Sequence, residues 1–241
     1  MQPRAPTAWV AGVDGCRGGW AVALVPAETA VARRPLIRLC GDFREVLLLR
    51  PSPAVIAVDI PIGLLDGPRA GGRLCDRLAR AMLTGRTSSV FSPPCRRVLR
   101  ARKYEDAHGF GLSRQAFGIL PKIREVDDLM TSALQQLVRE AHPELAFSAL
   151  AGRPMRWNKK TPAGRQERLR ALERGGALYR ELAGWLAEAL DTFPRRHLSA
   201  DDLMDALALS WTARRIAAGK ARRIPDRPPR DRRSLRMEIW Y

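Results

Sequence analysis

Long apolar runs are missing from this 241-residue chain. No stretch approaches the ~20 residues of a membrane helix, which excludes a helical membrane protein. Met1 to Thr7 lacks the apolar stretch of a secretory signal, so the expectation is a soluble, cytoplasmic protein with no membrane partner. Aromatic residues are scarce, 6% against 46% hydrophobic, so aliphatic side chains must fill the core. The few cysteines, Cys16, Cys40, Cys75 and Cys95, form no C-x-x-C pair and have no histidine at ligand spacing. That excludes a zinc site or a disulfide framework and leaves reduced, idle thiols. No internal repeat is present.

Acidic residues are also few, 25 against 42 Lys and Arg, for a net charge of +17. A basic surface attracts polyanions, nucleic acid first among them. The Arg-, Ala-, Pro- and Gly-rich usage of a high-GC genome produces the same charge without a function, so charge alone assigns nothing. The length suits one α/β domain with an insertion or two small domains, and it is compatible with a homodimer.

Trp9 to Val13 and Trp20 to Val25 read as antiparallel strands joined by a Gly-rich turn. Leu36 to Leu39 is a third strand, Phe43 to Leu49 a short helix, and Ala54 to Val58 a buried central strand. Beyond these, helices are predicted over 69–84, 123–140 and 200–218, with broken helices over 165–190. Strands are predicted at 145–150 and 235–240, and an exposed basic segment over 221–233. The chain therefore reads as one α/β domain, with a core of about 8–66 and 196–241 and a mostly helical insertion of about 67–195.

Two apolar strands each end in aspartate, Asp14 and Asp59. Side by side in one sheet, their carboxylates lie roughly 5 Å apart and repel. A divalent cation such as Mg²⁺ or Mn²⁺ removes the conflict. The helix from Ala200 offers further acids: Asp202 and Asp205, at i and i+3, share a face. Ser199 before Asp202 equally makes a capping box. Asp205 lies beyond the cap within an apolar run, where an unpaired acid costs free energy. The metal set predicted is Asp14, Asp59 and Asp205, with Asp202 and Glu144 added as catalytic candidates.

Other polar motifs fall between Asp59 and Asp202. Arg86, Ser88 and Ser89 suit phosphate contact through side chains and backbone N–H groups, or an ordinary loop. Lys122 and Glu125 suit a structural pair near a helix start, or substrate contact by Lys122. His142 suits proton movement or a structural role, and Glu144 a further metal ligand. Lys159 and Lys160 suit contact with a scissile phosphate, or an exposed basic loop.

Val13 to Trp20 (Val-Asp-Gly-Cys-Arg-Gly-Gly-Trp) resembles the opening motif of an uncharacterised prokaryotic family, domain of unknown function 429. The resemblance continues through Asp59 to Leu64, Arg86 to Phe91, Pro121 to Asp127, His142 to Phe147, Lys160-Thr161, Asp202 to Ala206 and Leu235 to Ile239. That family is described as predicted nucleases of ribonuclease H-like fold. The resemblance implies a ribonuclease H-like mixed sheet flanked by helices, with the insertion between the fourth strand and the last active-site helix. The stretch Asp202 to Leu209 also resembles the last active-site helix of Holliday-junction resolvases. By that likeness Asp14, Asp59, Asp202 and Asp205 take the positions of metal-binding carboxylates. The implied activity is hydrolysis of DNA or RNA phosphodiesters, with divalent ions about 4 Å apart. Two rivals remain. One is a nucleotide-binding ATPase or phosphotransferase of the actin-like superfamily, for which the Asp14 to Gly19 loop would touch phosphate. The other is a non-catalytic nucleic-acid-binding protein.

Overall fold

The two opening apolar runs pair as expected. In the computed structural model, which describes residues 8–28, 34–180 and 182–241, β1 (Trp9–Cys16) runs antiparallel to β2 (Gly19–Pro26). Met1 to Thr7, on which the expectation about a secretory signal rests, lie outside the described residues. The third strand, β3 (Leu36–Cys40), joins the outer edge of β2, antiparallel to it. A short helix, α1 (Phe43–Leu47), begins at Asp42, whose side chain accepts the Glu45 N–H. The fourth strand, β4 (Pro53–Val58), runs parallel to β1 on its other side.

The middle of the chain is largely helical: α2 (Leu74–Met82), α3 (Glu105–His108), α4 (Arg114–Gly118) and α5 (Leu120–Leu129) follow in order. Here the structure corrects two sequence expectations. The helix expected over 123–140 stops at Met130, which turns extended, and Val138–Glu140 is instead the fifth strand, β5. The i, i+3 and i, i+4 spacing of Leu134 and Leu137 continues a helical rhythm across a real break. The edge of β4 captures the segment as a parallel strand, giving the order β3-β2-β1-β4-β5. The strand expected at 145–150 is helix α6 (Pro143–Ala151). Its start explains why: His142 caps the Glu144 N–H, and Pro143 presets the first helical φ.

Helices α7 (Pro162–Glu173), α8 (Leu182–Asp191) and α9 (Ala200–Ala217) complete the helical set. Of the 235–240 segment only β7 (Ile239–Trp240) is a strand, paired with β6 (Arg223–Ile224). At Arg236 the buried Gln135 side chain takes the place of a neighbouring strand. It accepts from the Arg236 N–H (2.8 Å) and donates to the Arg236 carbonyl (2.8 Å). The 221–233 segment is tied down rather than free. Asp231 accepts the Leu64 and Leu235 N–H groups and pairs with Arg96, while Arg233 reaches Asp127 and the Met130 carbonyl.

The sheet has a core on each face. One face packs α9, α6 and α7 through residues such as Ala21, Ala23, Phe147, Leu203 and Leu207. The other packs α1 and α5 through Trp20, Val22, Phe43, Ile56, Ile123 and Val126. As expected, aliphatic side chains dominate both. All four cysteines are free and buried. Among the described residues no helix is long and apolar enough to cross a membrane.

Candidate functional site

Parallel pairing brings the ends of β1, β4 and β5 to the same edge of the sheet, where open α/β sheets place their ligands. Val13 pairs with Val58, and the Asp59 N–H donates to the Val13 carbonyl (3.0 Å). Asp14 and Asp59 are therefore neighbours across the β1–β4 seam. Asp14 shares a sheet face with Gly12, against which α9 packs. A Cβ at Gly12 would lie 2.0 Å from the Ala206 carbonyl oxygen and 2.1 Å from the Ser210 nitrogen. Only glycine lets the α9 backbone come this close, and the approach brings Asp205 to the end of β1. The start of α6, just past β5, contributes His142 and Glu144.

These elements wall a cavity of about 880 Å³. Of the residues expected from sequence, Asp14, Asp59, Ser88, Ser89, Lys122, His142, Glu144, Lys160, Asp202 and Asp205 all line it. Arg86 does not; its Nε donates to the Met155 carbonyl (2.9 Å), bracing a loop behind the cavity.

Asp14, Asp59 and Asp205 form a strained electrostatic group. Burial pushes the Asp14 carboxyl well above the usual range, and the charges of Asp205 and Asp59 push it further. Burial also raises Asp59. For Asp205, burial raises the pKa to about 6, although Lys159 pulls against it. Lys159, 46 residues away in sequence, sets its Nζ 2.6 Å from Asp205 Oδ2. Burial opposes the lysine's charge, but Asp205, Asp14 and Asp59 together raise its pKa. Nothing local in the sequence links Lys159 to Asp205; the Lys-Lys doublet fits the surface-loop reading equally well, and only the packing of α7 on α9 joins them.

Several residues already carry structural duties. Asp202 Oδ2 accepts the Ser199 N–H (2.9 Å) and the Asp202 N–H donates to Ser199 Oγ (3.3 Å), the capping box read from sequence. His142 Nδ1 accepts from the Glu144 N–H (3.2 Å), so Nε2 carries the proton and donates to the Ser89 carbonyl (3.2 Å). Lys122 does not pair with Glu125. It donates to the Gly19 carbonyl (2.5 Å) and lies over the Trp20 ring, while Glu125 accepts from Trp20 and the Phe43 N–H. Glu144 pairs with the buried Arg168, yet its Oε2 is buried without a hydrogen-bond partner.

The glycine turn after Asp14 is explained by protein contacts. Gly19 sits at φ 123°, and a Cβ there would lie 2.1 Å from the Cys40 carbonyl oxygen. The Gly18 N–H donates to the His197 carbonyl (2.9 Å). The rim also holds Arg17, which lies within the Val13 to Trp20 motif but was not singled out, and Arg165, Arg195 and Arg196, which no sequence motif contains. Among the described residues no three His, Cys, Asp or Glu groups stand ready-made around one metal position. The carboxylates approach one another, and Lys159 supplies the positive charge.

Lys159→Gln removes that charge. Lys159 is partly exposed, so the expected loss is on the order of 1 kcal/mol at pH 8. It fades by pH 5, where Asp205 is protonated with or without the lysine. Urea unfolding at the two pH values tests this; an equal loss at both would show that the ion pair is not what Lys159 contributes.

The fold and this cleft together define an α/β domain with buried acids at the carboxyl ends of parallel strands, ringed by basic side chains. The chain belongs to the family described as "Protein of unknown function (DUF429)", whose model matches residues 12–230. No curated protein and no solved structure matches it.

Proposed function

We propose that the protein is a metal-dependent nuclease of ribonuclease H-like fold that hydrolyses phosphodiester bonds. The single observation that carries this is the meeting of buried Asp14 and Asp205 with half-buried Asp59 in one basic-rimmed cleft, with Lys159 bonded to one of them. The sheet order and the placing of the acids at its edge support the ribonuclease H-like part. The donor set fits Mg²⁺ or Mn²⁺ in kind: every donor is a hard carboxylate oxygen, and negative charge exceeds the one lysine beside it. The orphaned Glu144 Oε2 adds a further oxygen in need of a partner.

Asp14, Asp59 and Asp205 would hold the ion, taking over the balance that Lys159 supplies. When bound, the metal activates water and stabilises charge on the leaving oxygen. Glu144 Oε2 is the free acceptor for a proton or hydrogen bond from the attacking water. Lys159, once off Asp205, and Lys160 meet a phosphate. Arg17, Arg165, Arg195 and Arg196 form the rim that attracts a nucleic-acid backbone. The glycine turn, filled by Lys122 and His197, supports this reading over a nucleotide-phosphate loop.

The test is cleavage of single-stranded, duplex and branched DNA and RNA with Mg²⁺ or Mn²⁺ against EDTA. Cleavage is expected only with the metal, together with binding of Mn²⁺ seen by calorimetry at pH 8 and weakened at pH 5 as Asp205 takes up its proton. Absence of both metal binding and cleavage rejects the proposal.

A further inference from the structure

Trp157 is 47% exposed and, among the described residues, is the one aromatic among the large side chains left in solvent. An indole gains free energy by burial, so its exposure needs a reason. Loose backbone is not the reason, because the loop that carries it is braced on several sides. Glu167 accepts the N–H groups of Arg156 (2.9 Å) and Trp157 (3.0 Å), Arg168 donates to the Trp157 carbonyl (3.1 Å), and Arg86 holds Met155. The loop presents the ring.

Trp157 borders a groove of about 400 Å³ against α7, lined also by Arg153, Gln166, Arg170 and Arg174. The acid in the groove, Glu167, is fully engaged. Burial raises its pKa, but the two backbone N–H groups and Arg153 (2.9 Å) outweigh this and hold it below the usual range. Among the described residues Arg170 and Arg174 have no acidic partner. Arg156 lies over the indole, its guanidinium carbon 4.9 Å from the ring centre. The groove thus offers one aromatic face and unpaired guanidinium groups. That combination recognises a base together with its phosphate. The base must be unpaired, because a duplex buries its faces in the stack.

We propose that this groove binds an unpaired nucleotide of a single strand whose neighbouring phosphates enter the acidic cleft past Lys160. Trp157 and Lys160 are three residues apart, at most roughly 10 Å along the backbone, a span of one or two nucleotides. The path of the strand rests on the nuclease reading; the groove itself does not.

The experiment measures binding of a labelled oligothymidine and of a duplex to the full chain in EDTA, by fluorescence anisotropy. Trp157→Ala is expected to weaken single-strand binding about tenfold, with duplex binding unchanged. Trp157→Phe restores most of the affinity. R170Q/R174Q weakens binding and lowers the salt dependence by about one to two released ions. All three side chains that change are at the surface, and an unchanged melting temperature checks the fold. Wild-type affinity in both Trp157→Ala and R170Q/R174Q overturns the proposal, as does equal weakening for duplex and single strand. Groove-dependent binding by a chain that cleaves nothing with Mn²⁺ sustains the groove and rejects the nuclease. Metal-dependent cleavage with Trp157→Ala binding normally does the reverse.

Discussion

Asp14→Asn is expected to abolish the proposed metal-dependent cleavage, by on the order of 10³-fold or more, while making the folded protein more stable at pH 8. The two effects share one cause. Burial, then the charges of Asp205 and Asp59, raises the Asp14 pKa well above its ordinary value. A carboxyl with a higher pKa in the folded than in the unfolded chain holds its proton more tightly when folded. Below about pH 3 both states are protonated and the fold carries no penalty. As the pH rises, the unfolded chain ionises first, and stability falls until the folded carboxyl ionises too. Asparagine removes that penalty and keeps the size of the side chain. Its stabilising effect therefore grows as the pH rises toward 8 and vanishes toward pH 3. Urea unfolding across this range, alongside the cleavage assay, reads both. A variant less stable than wild type at pH 8 would mean that the carboxylate is well solvated or well paired, against the electrostatics of the cleft. Added Mn²⁺ is expected to stabilise the wild type and not the variant.

Gly12→Ala is expected to cost about 3 kcal/mol or more, measured as the shift in urea unfolding free energy. Glycine to alanine in a strand ordinarily stabilises, because alanine has less freedom to lose. Here the added carbon meets the Ala206 oxygen at 2.0 Å and the Ser210 nitrogen at 2.1 Å. Both are backbone atoms of a long helix, so no rotamer change relieves the clash and α9 must move away from the sheet. The same shift carries Asp205 away from Asp14, and a displacement near 1 Å costs about 100-fold in rate where geometry matters. The variant is thus expected to lose activity even in the fraction that stays folded. A stability within about 1 kcal/mol of wild type would show that α9 does not depend on close contact at Gly12.

Much of the fold was legible because its signals are local. Trp9 to Val13, Trp20 to Val25 and Ala54 to Val58 are apolar runs whose strand character follows from side-chain pattern alone. Ser199 and Asp202 announced the start of α9 by a cap that the structure reproduces. The two misread segments share the opposite property. Val138 to Glu140 continues a helical spacing, and only the vacant edge of β4 makes it a strand. Leu145 to Leu150 is an apolar run short enough for either state, and the His142–Pro143 start settles it as helix.

The candidate site divides along the same line. Asp14, Asp59 and Asp205 were marked as a set: a turn explains either strand-end acid alone, whereas Asp205, inside an apolar helix face, costs free energy unless paired. The sequence by itself thus determined the first four strands, the start of α9 and the set of acids at strand ends and in an apolar helix face. The tertiary structure decided the pairings: Lys159 with Asp205, Glu144 with Arg168, Lys122 with the glycine turn, and Trp157 left beside unpaired arginines. The physical reason is range. Hydrophobic periodicity and capping act within a few residues, whereas a charge finds its partner through space, after the chain has chosen which helices lie on which face of the sheet.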